Sequence, residues 1–252
     1  MTFVLAVLAA IALAGGAGAA ESPPPSCDVP ERLLPADNEL AHAGAEVKDR
    51  HRLDITVVGS GSSALAGPDG ARFAYPAQLE QALKERLPGI EVKVTAHVPS
   101  RQTTADMAAA MPKILADDHP ALVIWQAGTV DALRGVEPED FRNSLDQGLE
   151  AIAAAGADVI MMNMQYSPRT ESMLSVAPFA DVMHWVAEQR GVLLFDRLGI
   201  MHYWSDEGTF DLYAATTGYA MARRVHECIG RALASQIINA AHLDAEKLQT
   251  TR

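Results

Sequence analysis

The chain has 252 residues, of which 49% are hydrophobic and 21% charged, and its formal net charge is −12. This length and composition are typical of one α/β domain with a sizeable core. The acidic balance argues against non-specific binding to nucleic acid or to an anionic membrane surface.

The first twenty residues, Met1 to Ala20, differ from the rest of the chain. The apolar run FVLAVLAAIALA is followed by the small residues GGAGAA and then by Glu21. That pattern predicts a secretory signal peptide with cleavage after Ala19 or Ala20, although the segment before the apolar run lacks Lys and Arg. A membrane anchor is the alternative, but the run is short for a span of roughly 20 residues. We therefore expect a periplasmic or secreted protein with no stable membrane insertion once the signal is removed.

Residues 21–52 are Pro-rich and then polar, and they predict an extended lead-in with one helical turn near Glu31–Leu34. The two cysteines of the chain are Cys27, in this lead-in, and Cys228. In an exported protein such a pair predicts a disulfide. The alternative is a free Cys27 and a buried Cys228 that acts as a small apolar residue.

The stretch Leu53 to Gly67 reads LDITVVGSGSSALAG. Its β-branched beginning predicts a strand at 53–58. Gly59, Gly61 and Gly67 allow the backbone to turn sharply directly afterwards, and three serines lie in that turn. The carboxyl end of an early parallel strand is where open α/β sheets place a ligand crevice.

Helices and strands alternate along the rest of the chain. Apolar periodicity and Pro, Gly and Thr boundaries predict helices at 75–86, 104–116, 138–155, 178–190, 198–205 and 217–241, and strands at 90–94, 120–125, 158–162 and 192–195. Thr103 or Thr104 caps the second of these helices. The alternation predicts a three-layer α/β/α sandwich with a five-stranded parallel sheet. A single domain covers 53–241, and 242–252 is a polar tail.

The polar residues that follow each predicted strand are the candidates for a site. They are Ser62 and Ser63 after the first strand, Ser100–Thr103 after the second, Gly128–Asp131 after the third, Asn163, Gln165 and Tyr166 after the fourth, and Asp196, Arg197 and His202 after the fifth. No Cys/His cluster has metal-ligand spacing, and neither a Walker lysine nor a G-x-G-x-x-G motif is present, so we expect no metal and no cofactor.

This ordered set resembles the SGNH (GDSL) hydrolase family. GSSALAG at 61–67 is similar to the family's GDS-x-x-x-G opening, with Ser62 at the Asp place and Ser63 at the nucleophile. WQAGTVD at 125–131 is similar to the Gly-x-Asn-Asp block, and SRQTTADM at 100–107 resembles the block after the second strand. The resemblance implies a flavodoxin-like sheet and a serine esterase or acyl-transfer mechanism.

The chain departs from that family at three places. Val130 stands where the family has the oxyanion Asn, and Arg101 stands where we place a Gly. The segment 211–219, which corresponds to the Asp-x-x-His block, contains no His. His202 is the best substitute base, with Asp206 or Asp211 to orient it. Without a base, serine attack is slower by several orders of magnitude.

Two functions therefore stay open. The first is an exported serine ester hydrolase or acyl-transfer protein that acts on an O-acyl ester of a carbohydrate, lipid or small molecule, with Ser63, His202 and Asp211 as catalytic residues. The second is a catalytically inactive protein of the same fold that binds a glycan or small anion. Ser62, Arg101, Gly128, Thr129 and Asp131 line the crevice in either case. Asp131 has the simpler alternative of capping the following turn or helix, and Arg101 that of a solvated loop charge.

Overall fold

The sheet of the computed structural model consists of five parallel strands in the order β2-β1-β3-β4-β5, which confirms the predicted fold class. The structure describes residues 26–67, 69–213 and 219–243. In chain order the elements are α1 (Ala41–Arg50), β1 (Arg52–Val58), α2 (Gly70–Phe73), α3 (Tyr75–Arg86), β2 (Glu91–His97), α4 (Thr104–Asp118), β3 (Leu122–Gln126), α5 (Thr129–Arg134), α6 (Pro138–Ala154), β4 (Asp158–Met162), α7 (Pro168–Met173), α8 (Ala177–Arg190), β5 (Leu193–Phe195), α9 (Arg197–Asp206) and α10 (Ala220–Ala240). The predicted signal peptide lies outside the described residues.

Helices cover both faces of the sheet and form two apolar cores. One core is built from α1, α3, α9 and α10, and the other from α4, α6 and α8. Every residue of β3 is buried, as expected of a central parallel strand covered on both faces.

Within the described residues, none of the helices combines the length and the apolar character that a membrane span requires.

The strand order fixes where a ligand crevice can open. The chain runs from β1 to β2 on one side and then returns to place β3 on the other side of β1. Such a reversal separates the loops that follow β1 and β3, and open α/β sheets bind ligands at that point. Val58 at the end of β1 pairs with His97 of β2 and Trp125 of β3, so the polar loops predicted to form the site do start side by side.

The sequence predicts an extended lead-in with one helical turn, but the structure contains a ten-residue helix there, α1. After a 3-10 turn at Glu31–Leu33, α1 packs Ala43 and Val47 into the first core. The sequence did not predict this helix because its buried residues are few and small, namely Ala43, Gly44 and Val47, and they produce no sustained apolar periodicity. The domain therefore begins before residue 53, and it ends beyond 241, since Leu243 is also buried in this core.

The predicted disulfide between Cys27 and Cys228 is present and joins the lead-in to α10. Three hydrogen bonds hold the same segment. Trp204 of α9 donates its indole N–H to the carbonyl of Asp28 at 3.0 Å, Gln236 of α10 donates to the carbonyl of Pro35 at 2.8 Å, and the N–H of Leu40 donates to the carbonyl of Ala240 at 3.0 Å. The disulfide and these hydrogen bonds thus fix the lead-in across the carboxyl-terminal helices.

Candidate functional site

The turn after β1 forms a short 3-10 helix at Gly61–Ser63 whose residues differ sharply in exposure. Gly61 is exposed, Ser62 is half-buried and Ser63 is completely buried. A Cβ added at Gly61 would meet nothing closer than the Ser100 Cβ at 4.0 Å. The position of the turn that opens to solvent therefore carries no side chain, and the buried position carries the predicted nucleophile.

Gln126, the last residue of β3, holds the turn in place. Its side-chain carbonyl Oε1 accepts hydrogen bonds from the hydroxyls of Ser62 at 2.8 Å and Ser63 at 3.1 Å, and from the N–H and hydroxyl of Ser60 at 3.3 and 3.4 Å. Its amide donates to the hydroxyl of Thr129 at 3.4 Å. Both the turn serines and the loop after β3 are therefore organised around one fully buried amide.

Ser63 makes a second hydrogen bond, at 3.1 Å, to the hydroxyl of Tyr75 in the first turn of α3. Tyr75 is also completely buried, and burial raises the pKa of its hydroxyl to about 12. Within the described residues, no hydrogen bond joins the Ser63 hydroxyl to an imidazole. The serine is held by a neutral phenol and an amide, neither of which can accept its proton at neutral pH. Its catalytic role stays a prediction.

Arg197, the first residue of α9, lies directly beneath the turn and is 1% exposed. Its two terminal nitrogens donate to the carbonyl of Ser62 at 3.0 Å and to the side-chain carbonyl of Gln165 at 3.2 Å. Burial lowers the pKa of its guanidinium to about 10, which leaves the group protonated at neutral pH. The floor of the turn therefore carries a positive charge.

His226 of α10 lies behind the same network. Its Nδ1 accepts the backbone N–H of Tyr75 at 2.9 Å, and the ring is 4% exposed. Burial, together with the like charge of Arg197, lowers the pKa of the imidazole to about 3. His226 is therefore neutral at physiological pH, and its Nδ1 is already occupied in holding the start of α3.

The loop after β3 contains a glycine with positive φ and a buried, hydrogen-bonded carboxylate. Gly128 has a φ of 95°. Asp131 is 1% exposed and accepts hydrogen bonds from both the N–H and the hydroxyl of Thr104, at 3.0 and 2.8 Å. It thus caps the preceding helix α4, together with the capping box of Thr103, and not a following turn or helix. Val130, at the position of the family's Asn, is half-buried.

Arg101 lies exposed on the loop after β2, with a φ of 68°. Its carbonyl accepts a hydrogen bond from the guanidinium of Arg134 at 2.8 Å, and Arg134 in turn lies 3.9 Å from Asp106. In the part of the chain that the structure describes, the Arg101 guanidinium forms no ion pair. Two arginines therefore lie together at the β2 and β3 loops.

His202 and Asp211 lie in different surroundings from Ser63. The His202 ring stacks on Tyr166 at a centroid distance of 3.6 Å, and its Nε2 lies 3.4 Å from a carboxylate oxygen of Glu171. Asp211 accepts the backbone N–H of Tyr213 at 3.1 Å. The three predicted catalytic residues are thus not joined by any hydrogen bond within the described ranges. Residues 214–218 of the His-less block lie outside them.

Sequence reasoning missed two residues that organise the site, Tyr75 and Gln126. Tyr75 reads as an apolar-face residue of an amphipathic helix. The sequence predicts that His226, two residues from Cys228 on the last helix, lies too deep to reach the site, whereas the structure places it directly behind Tyr75. Gln126 is a single polar residue at the end of an otherwise apolar strand. That position was the one sequence signal that its side chain bonds to the neighbouring turn. Arg197 was among the residues that follow the fifth strand, but its inward direction depends on packing.

Comparisons with known proteins agree with this architecture. A model of the Non-GDSL lipase-like family matches residues 26–243. Among curated proteins, the esterase TesA of Pseudomonas aeruginosa is 32% identical over 114 residues, which are 45% of this chain and 55% of that protein. An arylesterase of Vibrio mimicus is 31% identical over 121 residues, or 48% of this chain and 59% of the relative. The chain thus spans about half the length of the curated relatives it matches.

Solved structures extend the similarity to most of the domain. The crystal structure of TesA covers 73% of this chain and 99% of its own, with a TM-score of 0.57 and 26% identity. A catalytic mutant of an acetylxylan esterase from Geobacillus stearothermophilus covers 73% of this chain and 94% of its own, with a TM-score of 0.61. Its identity is 16%, so that likeness concerns the fold alone.

Proposed function

The chain belongs to the Non-GDSL lipase-like family, and from that premise we propose an exported binding protein built on an esterase fold, whose crevice holds a glycan or small anion without serine-dependent ester hydrolysis. The observation that carries the proposal is the burial of the Ser63 hydroxyl. Its hydroxyl is completely buried between Tyr75 and Gln126, whereas the solvent-facing position of the turn is Gly61. A nucleophile must contact the substrate carbonyl and transfer its proton to a base. Among the described residues, the Ser63 hydroxyl bonds only Gln126 and Tyr75, and it is closed off from solvent.

Two departures from the family pattern support the same proposal. The family's oxyanion Asn is replaced by Val130, whose side chain offers no hydrogen-bond donor. Loss of one such donor costs about 10²–10³ in rate. The segment 211–219 contributes no imidazole, and removal of a triad member costs further orders of magnitude.

Export is part of the proposal. Its supports are the leader-like composition of residues 1–20 and the disulfide between Cys27 and Cys228, because disulfides persist in oxidising compartments. A periplasmic or secreted location follows. Expression of the full chain, followed by fractionation and amino-terminal sequencing, tests this part. A product that begins at residue 20 or 21 outside the cytoplasm supports export, and an unprocessed cytoplasmic product contradicts it.

The second candidate is an active ester hydrolase, which the names of the relatives favour: an esterase and an arylesterase are 32% and 31% identical to parts of this chain. In that case Ser63 attacks an O-acyl ester of a carbohydrate, lipid or small molecule, and His202, oriented by Asp211, accepts the proton. Such a mechanism requires the turn to rearrange, so that the Ser63 hydroxyl leaves Gln126 and Tyr75 and meets His202.

Hydrolysis of 4-nitrophenyl esters with acyl chains of two to eight carbons separates the two candidates. The wild type is compared with Ser63→Ala and with Ser62→Ala, which removes the neighbouring hydroxyl bonded to the same Gln126 oxygen. We expect all three proteins to give the same background rate.

A rate that falls by about 10³-fold or more in Ser63→Ala but stays unchanged in Ser62→Ala would overturn the proposal. A further loss in His202→Gln would then identify the base. Thermal unfolding of each variant shows whether a lost rate has a structural origin.

A further inference from the structure

A buried cation without a carboxylate partner lies under the candidate crevice. Arg197 is 1% exposed, and in the described residues none of its nitrogens comes within 4.0 Å of an Asp or Glu oxygen. Its two terminal nitrogens donate to neutral carbonyls, of Ser62 and Gln165, and its Nε has no hydrogen-bond partner. The guanidinium also lies over the neutral ring of Tyr75, 5.8 Å from its centroid.

Burying the Arg197 charge without a carboxylate partner costs free energy, which suggests that the charge serves a function. Buried charges in proteins are ordinarily paired or coordinate an ion, because removing a charge from water is expensive. Carbonyl dipoles offset part of that cost but leave the net positive charge in place. The field of Arg197 reaches at least as far as His226, whose pKa it helps to lower.

The turn at Gly61–Ser63 separates the Arg197 guanidinium from solvent. Arg197 contacts the carbonyl of the half-buried Ser62, and the neighbouring Gly61 is exposed, with nothing closer than 4.0 Å to an added Cβ. Arg101 and Arg134 lie at the adjacent loops, where Asp106, 3.9 Å from Arg134, offsets the charge of Arg134. Asp131, the carboxylate of the β3 loop, is buried and already accepts two hydrogen bonds from Thr104.

From these positions we propose that the crevice selects a small oxyanion, a carboxylate or a phosphate, over a neutral ligand of the same shape, and that Arg197 is the positioning residue responsible. Arg197 acts from below, through the electrostatic field and through its hold on the Ser62 carbonyl. Arg101, exposed on the loop after β2, adds a second positive charge on a neighbouring loop. This inference rests on the proposed function and names the ligand class of the same site.

The experiment titrates the ¹⁵N-labelled protein with acetate, with its neutral isostere acetamide, and with inorganic phosphate, and follows the amide signals of Gly61 and Ser62. We expect acetate or phosphate to shift these signals saturably, with an affinity at least tenfold above that of acetamide. Gly61→Phe, whose side chain would fill the open position, should abolish the saturable shift without unfolding the chain.

Variants of Arg197 test the source of the selectivity. Arg197→Lys keeps the charge and should retain anion binding within about threefold, whereas Arg197→Met should lose at least tenfold. Thermal unfolding is measured for both. If Arg197→Met does not fold, the ratio of acetate to acetamide affinity in the wild type decides, because it requires no variant.

Equal affinities for acetate and acetamide, no saturable shift with either anion, or undiminished anion binding in a folded Arg197→Met would each overturn the inference. The outcome is distinguishable from that of the ester assay. Ser63-dependent turnover contradicts the proposed function, whereas absence of anion binding with no turnover contradicts only the ligand class.

Discussion

The pH dependence of stability offers a quantitative test of the buried network around Ser63, because His226 is held neutral inside it. Burial and the charge of Arg197 lower the pKa of its imidazole from 6.5 to about 3 in the folded chain. Above pH 6.5 the ring is neutral in both the folded and unfolded states, so it contributes no pH dependence. As the pH falls below 6.5, the unfolded chain binds a proton that the folded chain excludes, and stability is lost.

The magnitude follows from the difference between the two pKa values. Each pH unit below 6.5 should lower the free energy of unfolding by about 1.4 kcal/mol, to a total of about 5 kcal/mol at pH 3. Carboxylates titrate over the same range, so the informative quantity is the difference between the wild type and His226→Asn. The Asn side-chain oxygen can accept the Tyr75 N–H in place of Nδ1 but does not titrate.

Urea unfolding at pH 4, 5, 6 and 7, with the disulfide intact, measures this difference. We expect the free energy of unfolding of His226→Asn to fall less steeply than that of the wild type between pH 6 and 4, by about 2–3 kcal/mol over the interval. His51→Asn, at the exposed carboxyl-terminal cap of α1, is the control and should follow the wild type. Parallel curves for the wild type and His226→Asn would refute the buried neutral imidazole.

Three further predictions concern the fold. Replacing Cys27 and Cys228 by Ser opens a loop with a sequence separation of 201 and should lower the free energy of unfolding by about 5 kcal/mol in the chain-entropy model; an unchanged denaturation midpoint would contradict this. Gly148→Ala places a Cβ 2.2 Å from a tryptophan ring atom and should cost about 1–3 kcal/mol, whereas Gly61→Ala, with free space around it, should leave the melting temperature unchanged. Asp131→Ala leaves the buried start of α4 without its acceptor and should cost about 1–3 kcal/mol by urea titration, and a melting curve like the wild type's would argue against its capping role.

Much of the fold could be predicted because its signals are local. The continuous apolar run of β3 and the Pro and Gly boundaries of α6 and α8 each depend on a few neighbouring residues. The strand predicted at 158–162 matches β4 in both of its ends. The helix α1 and the short helices α2, α5 and α7 were missed because their inward-facing residues are too few to produce a periodic pattern.

The site was predictable in its location but not in its contacts. Glycines and a strand end place the turn, whereas the direction of each serine depends on which side chain lies beneath it. Ser63 points to Gln126 and Tyr75, residues that are 63 and 12 positions away along the chain. Asp131 likewise caps a helix that precedes it by 27 positions, so its partner could not be read from its neighbours.

The central claim, that Ser63 is not an activated nucleophile, is tested most directly by covalent labelling with a fluorophosphonate, which forms a phosphonyl ester with an activated serine. Intact mass spectrometry of the wild type, Ser62→Ala and Ser63→Ala after incubation with an excess of the reagent measures the adduct. The buried, hydrogen-bonded state of Ser63 predicts unmodified mass for all three proteins. A stoichiometric adduct on the wild type and on Ser62→Ala that is absent from Ser63→Ala would contradict the account.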